Sequence, residues 1–101
     1  MRIITRRRLN EAAEKHPDSS STIYHWYATA RKAAWSNLAE TRKTFSHADQ
    51  VKVASGKTVT VFNLTNKFRL ISAIHYDHKR IYILLVLTHA EYSKEAWKKK
   101  L

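Results

Sequence analysis

No cysteine occurs in the 101 residues, so neither a disulfide framework nor a thiolate metal site can be built, and a reducing compartment fits. Long apolar runs are missing as well. The longest, Ile81 to Leu87, falls far short of the ~20 residues a membrane helix needs. Arg2, Arg6, Arg7 and Arg8 interrupt the start of the chain, where a secretory signal would carry an apolar stretch. A soluble, cytoplasmic protein with no membrane partner is therefore expected, and the Asn63-Leu64-Thr65 sequon carries no weight without export. Internal repeats and low-complexity linkers are absent, and the length suits a single domain spanning 1–101 with one modest core. Acidic residues are scarce: eight Asp and Glu stand against nineteen Lys and Arg, a net charge of +11.

That imbalance favours polyanionic partners, namely nucleic acid, an anionic membrane surface or an acidic protein. The basic residues cluster at Arg6-Arg7-Arg8, Arg31-Lys32, Arg42-Lys43, Lys79-Arg80 and Lys98-Lys99-Lys100. Any one cluster reads equally as a solvated face, and the C-terminal lysines are read so. The total is harder to assign to solvation alone. A hydrophobic content of 44% with three Trp, five Tyr and three Phe marks a globular chain rather than a disordered one.

Arg2 to Thr5 reads as a short strand and Arg6 to His16 as a helix with Leu9, Ala12 and Ala13 on one side, ended by Pro17. Asp18 and the serines at 19, 20 and 21 offer caps for a second helix. That helix carries Ile23, Trp26, Tyr27, Ala30, Ala33 and Ala34 at helical spacing, and its aromatics read as core rather than as a base-stacking platform. Asn37 to Phe45 reads as another helical turn, Ser46 to Lys57 as a loop with some strand. From Thr58 the β-branched and aromatic residues dominate in TVTVFNL, KFRLISAIHY and RIYILLVL, with short connections at Thr65-Asn66 and Asp77-His78. Thr88 to Leu101 is helical by composition. The order is β-α-α-β-β-β-α: an α+β domain with helices packed on a small antiparallel sheet.

If Asp77 and His78 form a two-residue turn, Ala73 lies opposite Tyr82, Ile71 opposite Leu84, Arg69 opposite Val86 and Lys67 opposite Thr88. Alternation then puts Phe68, Leu70 and Ile74 toward the core, and Lys67 and Arg69 together on the other face. Thr88-His89-Ala90-Glu91 has the form of a capping box, with Thr88 as N-cap and Glu91 satisfying backbone donors rather than serving as an acid. His89 falls in the first helical turn, where free N–H groups and the helix dipole favour an anion such as phosphate and keep the ring available as a base. Tyr92, three residues on, shares its helical face. A lone histidine at a helix start is usually a capping residue; beside Lys67, Arg69 and Tyr92 it becomes a candidate site.

The same residues carry a resemblance. Phe62-Asn63, Asn66-Lys67, Phe68, Arg69-Leu70 and Thr88-His89-Ala90-Glu91-Tyr92 resemble the C-terminal half of HigB toxins, mRNA interferases of the RelE-like superfamily. The likeness covers about the last forty residues well, and the first half matches in length and element order. It implies a RelE-like fold and a toxin of a type II toxin–antitoxin system. The expected activity is a metal-independent endoribonuclease that cuts mRNA, in many members on translating ribosomes. No cofactor is implied. The expected partners are mRNA, the ribosome and a HigA-type helix-turn-helix antitoxin, with operator DNA contacted only through the antitoxin. On this reading the substrate's 2′-hydroxyl attacks the adjacent phosphate, and His89 is the first choice for general acid or base. Lys67 and Arg69 stabilise the pentavalent phosphate, and Tyr92 positions it or moves a proton. Asn63, Asn66 and Arg80 are further RNA-binding candidates.

Three positions depart from the family pattern. Leu84 stands where an Arg is often found, Leu87 where a Gly precedes Thr-His, and Thr65 where the turn usually has Gly. Leu84 leaves one expected cation missing from the face of Lys67 and Arg69; Arg80 or His75 could substitute, or activity could be reduced. The rival reading is a non-catalytic basic module, a degenerate toxin fold that binds RNA, the ribosome or DNA through phosphate contacts alone. It would need the basic clusters but not His89. A metal site from His75, Asp77 and His78 lacks the dispersed ligand geometry of zinc sites, and no metal is expected.

Overall fold

The computed structural model describes residues 1–101. Strand β1 (Arg2–Ile4) leads into helices α1 (Arg6–Lys15), α2 (Ser20–Lys32) and α3 (Leu38–Thr44), then strands β2 (Asp49–Lys52), β3 (Thr58–Asn63), β4 (Phe68–His75) and β5 (Arg80–Thr88), and finally the short helix α4 (His89–Ser93). Single 3-10 turns occupy Pro17–Ser19, Tyr76–His78 and Ala96–Lys100. The α+β class with helices laid on a sheet is as the sequence indicated. The sheet itself is larger and mixed: its order is β1-β5-β4-β3-β2, and β1 runs parallel to β5 with Ile3 beside Ile81. A parallel pair needs a long crossover, here the whole chain between them, so no local turn signal announces it.

Apolar spacing explains the helix layer. Leu9, Ala12 and Ala13 form the buried stripe of α1, and Ile23, Trp26 and Ala30 that of α2, the i, i+3, i+7 positions of one helical face. They pack on Phe62, Phe68, Leu70, Ile81 and Ile83 of the sheet. Trp26 meets Phe62 edge-on with centroids 5.2 Å apart, so this aromatic is core, as read. The serine caps expected for α2 are not used. Ser19 is itself in helical conformation, and its hydroxyl donates to the His16 carbonyl at 2.7 Å, because the 3-10 turn runs directly into the helix and leaves no extended cap position. Asn37 does cap α3, accepting from the Glu40 amide at 2.9 Å.

The other face of the sheet carries a second apolar cluster: Val53, Val59, Val61, Ile71, Leu87 and Trp97. Trp97 is there because the C-terminal segment is not one helix. Glu95 adopts a left-handed φ of 59°, which stops α4 after five residues and folds the following 3-10 turn back across the sheet.

The β4–β5 hairpin departs from simple pairing. Ala73 faces Tyr82 as expected, but a bulge follows, and beyond it Ile71 faces Leu85, Arg69 faces Leu87 and Phe68 faces Thr88. Leu84 is the extra residue. Phe68, Leu70 and Ile74 still face the helices and Ile71 the opposite side, so the face assignment of β4 stands while the register of β5 moves by one. The hairpin turn is Tyr76–Lys79 rather than two residues, with Lys79 at φ 54°.

Candidate active site

Two segments meet at one end of the sheet: the turn before β4 and the junction of β5 with α4. Thr88 is extended and caps α4, its hydroxyl accepting from the Glu91 amide at 3.2 Å while the Glu91 carboxylate accepts from the Thr88 amide at 3.0 Å. Both halves of the capping box are present. The Thr88 backbone bond, with help from the Thr88 hydroxyl and the charges of Lys15 and His16, holds the Glu91 carboxyl below its usual range against the opposing effect of burial. Glu91 is thus kept an acceptor, the role its spacing indicated.

The capped turn sets the place of His89. Its amide donates to the Lys67 carbonyl at 2.6 Å, extending the ladder one step past the strand and pinning the first turn of α4 onto the turn before β4. Arg69 reaches across the same junction. Its Nη1 donates to the Thr65 carbonyl at 2.8 Å and to that of Phe68 at 3.0 Å, while Nη2 lies 3.4 Å from Nδ1 of His89. The guanidinium also sits 6.0 Å over the Tyr92 ring. Tyr92 in turn stacks on Trp97, centroids 5.4 Å apart and planes within 20°, and the Trp97 indole N–H donates to the Tyr92 carbonyl at 3.0 Å.

A guanidinium can only donate, so a hydrogen bond from Arg69 to His89 uses the tautomer that leaves Nδ1 free to accept. With Nη1 tied to two carbonyls, the edge formed by Nε and Nη2 is the part of Arg69 left for a phosphate. Lys67 is exposed, and its ammonium takes part in no ion pair or hydrogen bond. Thr65, in place of the family's glycine, accepts from the Lys67 amide through its hydroxyl at 3.0 Å, a side-chain substitute for glycine's turn-forming freedom. Asn63 faces Arg69 across β3 and β4 and Asn66 lies in the same turn, both exposed. His89, Arg69 and Tyr92 are therefore together, Lys67 joins them through its carbonyl while also lining a cavity with Asp18 and Ser19, and both asparagines lie at the rim.

Arg80 is not with them. It stands at the opposite end of β5, roughly 27 Å away at the rise of a strand. His75 is there too, its ring against Tyr82 at 5.0 Å, so neither can replace a cation beside His89. Asp77 and His78 pair with each other, exposed, at 3.4 Å. The helix-terminus argument for an anion also loses force, since α4 has only five residues to build a dipole. What the spacing did not reveal is Trp97, buried beneath Tyr92, and the approach of Lys15 and His16 to Glu91 in a cavity of about 390 Å³ between α1 and β5. The signal for the second was the i, i+7 spacing of Arg8 and Lys15 on α1, both counted only as charge.

A small basic α+β domain that gathers a histidine, two cations and a tyrosine at the end of its sheet has the groups a phosphodiester needs. Residues 19–95 match the profile of the HigB toxins, described as the RelE-like toxic component of a toxin-antitoxin system, and the chain belongs to that family. It is 28% identical over 94 residues to the mRNA interferase HigB of Escherichia coli O6:H1, covering 93% of this chain and 90% of the relative. Over 93 residues it is 28% identical to the mRNA interferase toxin HigB of Escherichia coli K12, covering 91% and 88%. The mRNA interferase HigB of Shigella flexneri matches to the same extent. No helix is long and apolar enough to cross a membrane.

Proposed function

We propose that this chain is an endoribonuclease that cuts mRNA on translating ribosomes and is held inactive by a HigA-type helix-turn-helix antitoxin. The observation that carries this reading is the meeting of His89 with Arg69 at 3.4 Å, from segments twenty residues apart, with Tyr92 and Lys67 beside them. The relatives named as mRNA interferases support it.

The chemistry needs a base, charge stabilisation and an acid, each within reach of side chains. As the scissile phosphate arrives, Arg69 turns its Nε–Nη2 edge from His89 to two phosphate oxygens, and Nδ1 is freed to take the proton of the 2′-hydroxyl. The 2′-oxygen attacks phosphorus, Lys67 and Arg69 hold the charge on the pentavalent phosphate, and the 5′-oxygen leaves with a proton from the Tyr92 hydroxyl. A 2′,3′-cyclic phosphate and a 5′-hydroxyl result, and water returns the protons to Tyr92 and from His89.

Expression from a tight promoter with mapping of RNA 5′ ends, beside a folded His89→Ala variant, tests the proposal. Cutting that the variant loses by about 10²-fold or more supports it. Failure of the wild type to arrest growth or cut RNA, with or without translating ribosomes, overturns it in favour of a binding module. Equal cutting by both removes His89 from the mechanism. Cutting without ribosomes removes the ribosome from the reading, and co-expression with the product of a neighbouring helix-turn-helix reading frame tests the antitoxin.

A further inference from the structure

The active site uses two of the basic residues. A second concentration lies at the other end of the sheet, where a cavity of about 600 Å³ is lined by Arg2, Arg6, Arg31, His78 and Lys79, with no carboxylate among its walls. Arg2, Arg6 and Arg31 are exposed, and none of them enters an ion pair. Lys79 is committed to the structure, its ammonium donating to the Trp35 carbonyl and the Ser36 hydroxyl, each at 2.9 Å. Arg6 lies flat over the half-buried Tyr27, 4.4 Å from guanidinium carbon to ring centroid.

Like charges gathered without counter-charge cost stability through repulsion, so uncompensated guanidinia around one concavity call for an external anion. The path between the two ends favours a nucleic acid over an acidic protein. Helix α1 begins at this pole with Arg6 and ends beside Glu91 with Lys15, and Arg8, Lys15 and His16 line the groove between α1 and β5 along the way, together with Glu11 and Glu91. Arg6, Arg8 and Lys15 thus mark a line of cations along α1, interrupted by Glu11 and Glu91, which a phosphate backbone can follow from cation to cation and an isolated acidic peptide does not require. The Arg6–Tyr27 pair adds a planar stack on which a base can lie.

We propose that this pole is a second RNA contact, binding phosphates of the same strand that is cut at His89. The inference rests on RNA being the substrate, so its test reads binding and separates the two. The probes are 2′-O-methylated oligoribonucleotides of about 4 and about 16 nucleotides, the span of single-strand site sizes, which lack the attacking hydroxyl. The wild type is expected to bind the long RNA more tightly than the short one. Substituting Arg2→Gln, Arg6→Gln and Arg31→Gln together is expected to lower the salt slope for the long RNA by about 2, at about 0.7 per single-strand phosphate contact, and to leave the short RNA unaffected. A charge-matched control, Lys43→Gln, Lys99→Gln and Lys100→Gln, is expected to leave both intact. Equal binding of the two RNAs by the wild type, or an equal loss in the control, overturns the second contact while the cleavage reading stands. Binding of neither RNA also overturns the second contact, and cleavage on ribosomes is then judged by the RNA 5′-end mapping alone. Polyglutamate bound as tightly as the long RNA and lost equally on the triple substitution overturns the assignment to RNA.

Discussion

Replacing Trp97 by alanine tests whether the C-terminal turn supports the active site or merely decorates it. Trp97 is 4% exposed and covers Val61, Ile71 and Leu87 while forming the floor of Tyr92. Truncating a buried aromatic costs about 3–5 kcal/mol, a large share of the roughly 5–15 kcal/mol that holds a domain of this size. Trp97→Phe keeps an aromatic floor but loses the indole bond to the Tyr92 carbonyl, about 1 kcal/mol plus the missing volume. Urea unfolding followed by far-UV circular dichroism reads both, since fluorescence changes with the mutated residue itself. With a slope of about 1–3 kcal/mol per molar, the alanine variant should move its midpoint by roughly 1 M or more and the phenylalanine variant by less. Native-state hydrogen exchange should show lost protection in residues 88–97 before the rest of the sheet opens. An alanine variant within about 0.5 kcal/mol of the wild type, the range of neutral surface changes, would refute the reasoning.

Three further outcomes rest on the geometry. The folded-state carboxyl of Glu91 is held down, so its contribution to stability is present above the usual glutamate value of 4.5 and is lost as pH falls through the lower folded value; the stability difference between wild type and Glu91→Gln in urea melts should shrink as pH drops below 4.5, and a gap that widens there reverses the sign. Arg69→Lys keeps the charge but not the fork that holds two carbonyls while facing His89, so single-turnover cleavage should fall by about 10²-fold; an unchanged rate would mean a point charge suffices. Tyr92→Phe keeps the stack on Trp97 and the unfolding midpoint, yet should lose about 10²-fold in cleavage if the hydroxyl is the acid, and retained cleavage would reduce Tyr92 to a ring that orients Arg69.

The parts of this molecule that could be read from residues are those whose pattern repeats locally. The stripe Ile23, Trp26, Ala30 and the strands around Phe62 and Leu70 declare themselves by period, and the Thr88–Glu91 box by two residue types at a fixed spacing. Strand β2 showed only as some strand within the loop Ser46 to Lys57, without bounds, because only Val51 in DQVK is even half-buried and an edge strand has little apolar face to show. The fold-back of Trp97 was hidden because the left-handed residue that allows it is Glu95, not the glycine that usually marks such a turn. The pairing of β1 with β5 was out of reach for a different reason: it joins the two ends of the chain through one three-residue strand.

The least legible feature decides the site. In the run Ile83-Leu84-Leu85-Val86-Leu87 every residue is apolar, so no alternation reveals which way each points. Regular pairing from Ala73–Tyr82 onward would have set Arg69 against Val86, and the residues sharing the Arg69 face would then have been 84, 86 and 88. His89 would have pointed to the helix side. The bulge places both Leu84 and Leu85 on the Trp97 side, moves Leu87 opposite Arg69, and so brings His89, two residues on, to Arg69. Bulges commonly re-aim side chains beside active sites in this way. The Leu84 position then matters for its backbone more than for the cation it lacks: its carbonyl is held by the Arg8 guanidinium, and its side chain packs near Ala73 and Leu101, about four residues along the strand from Thr88, or roughly 13 Å. Leu84→Ala should therefore cost about 1–2 kcal/mol for a half-buried leucine and keep cleaving RNA. Deleting Leu84 should abolish cleavage as completely as His89→Ala, whether the deleted chain folds in the regular register or not at all. A deletion variant that cuts at the wild-type rate, or a folded Leu84→Ala that does not cut, would show that the bulge is not what delivers His89 to Arg69.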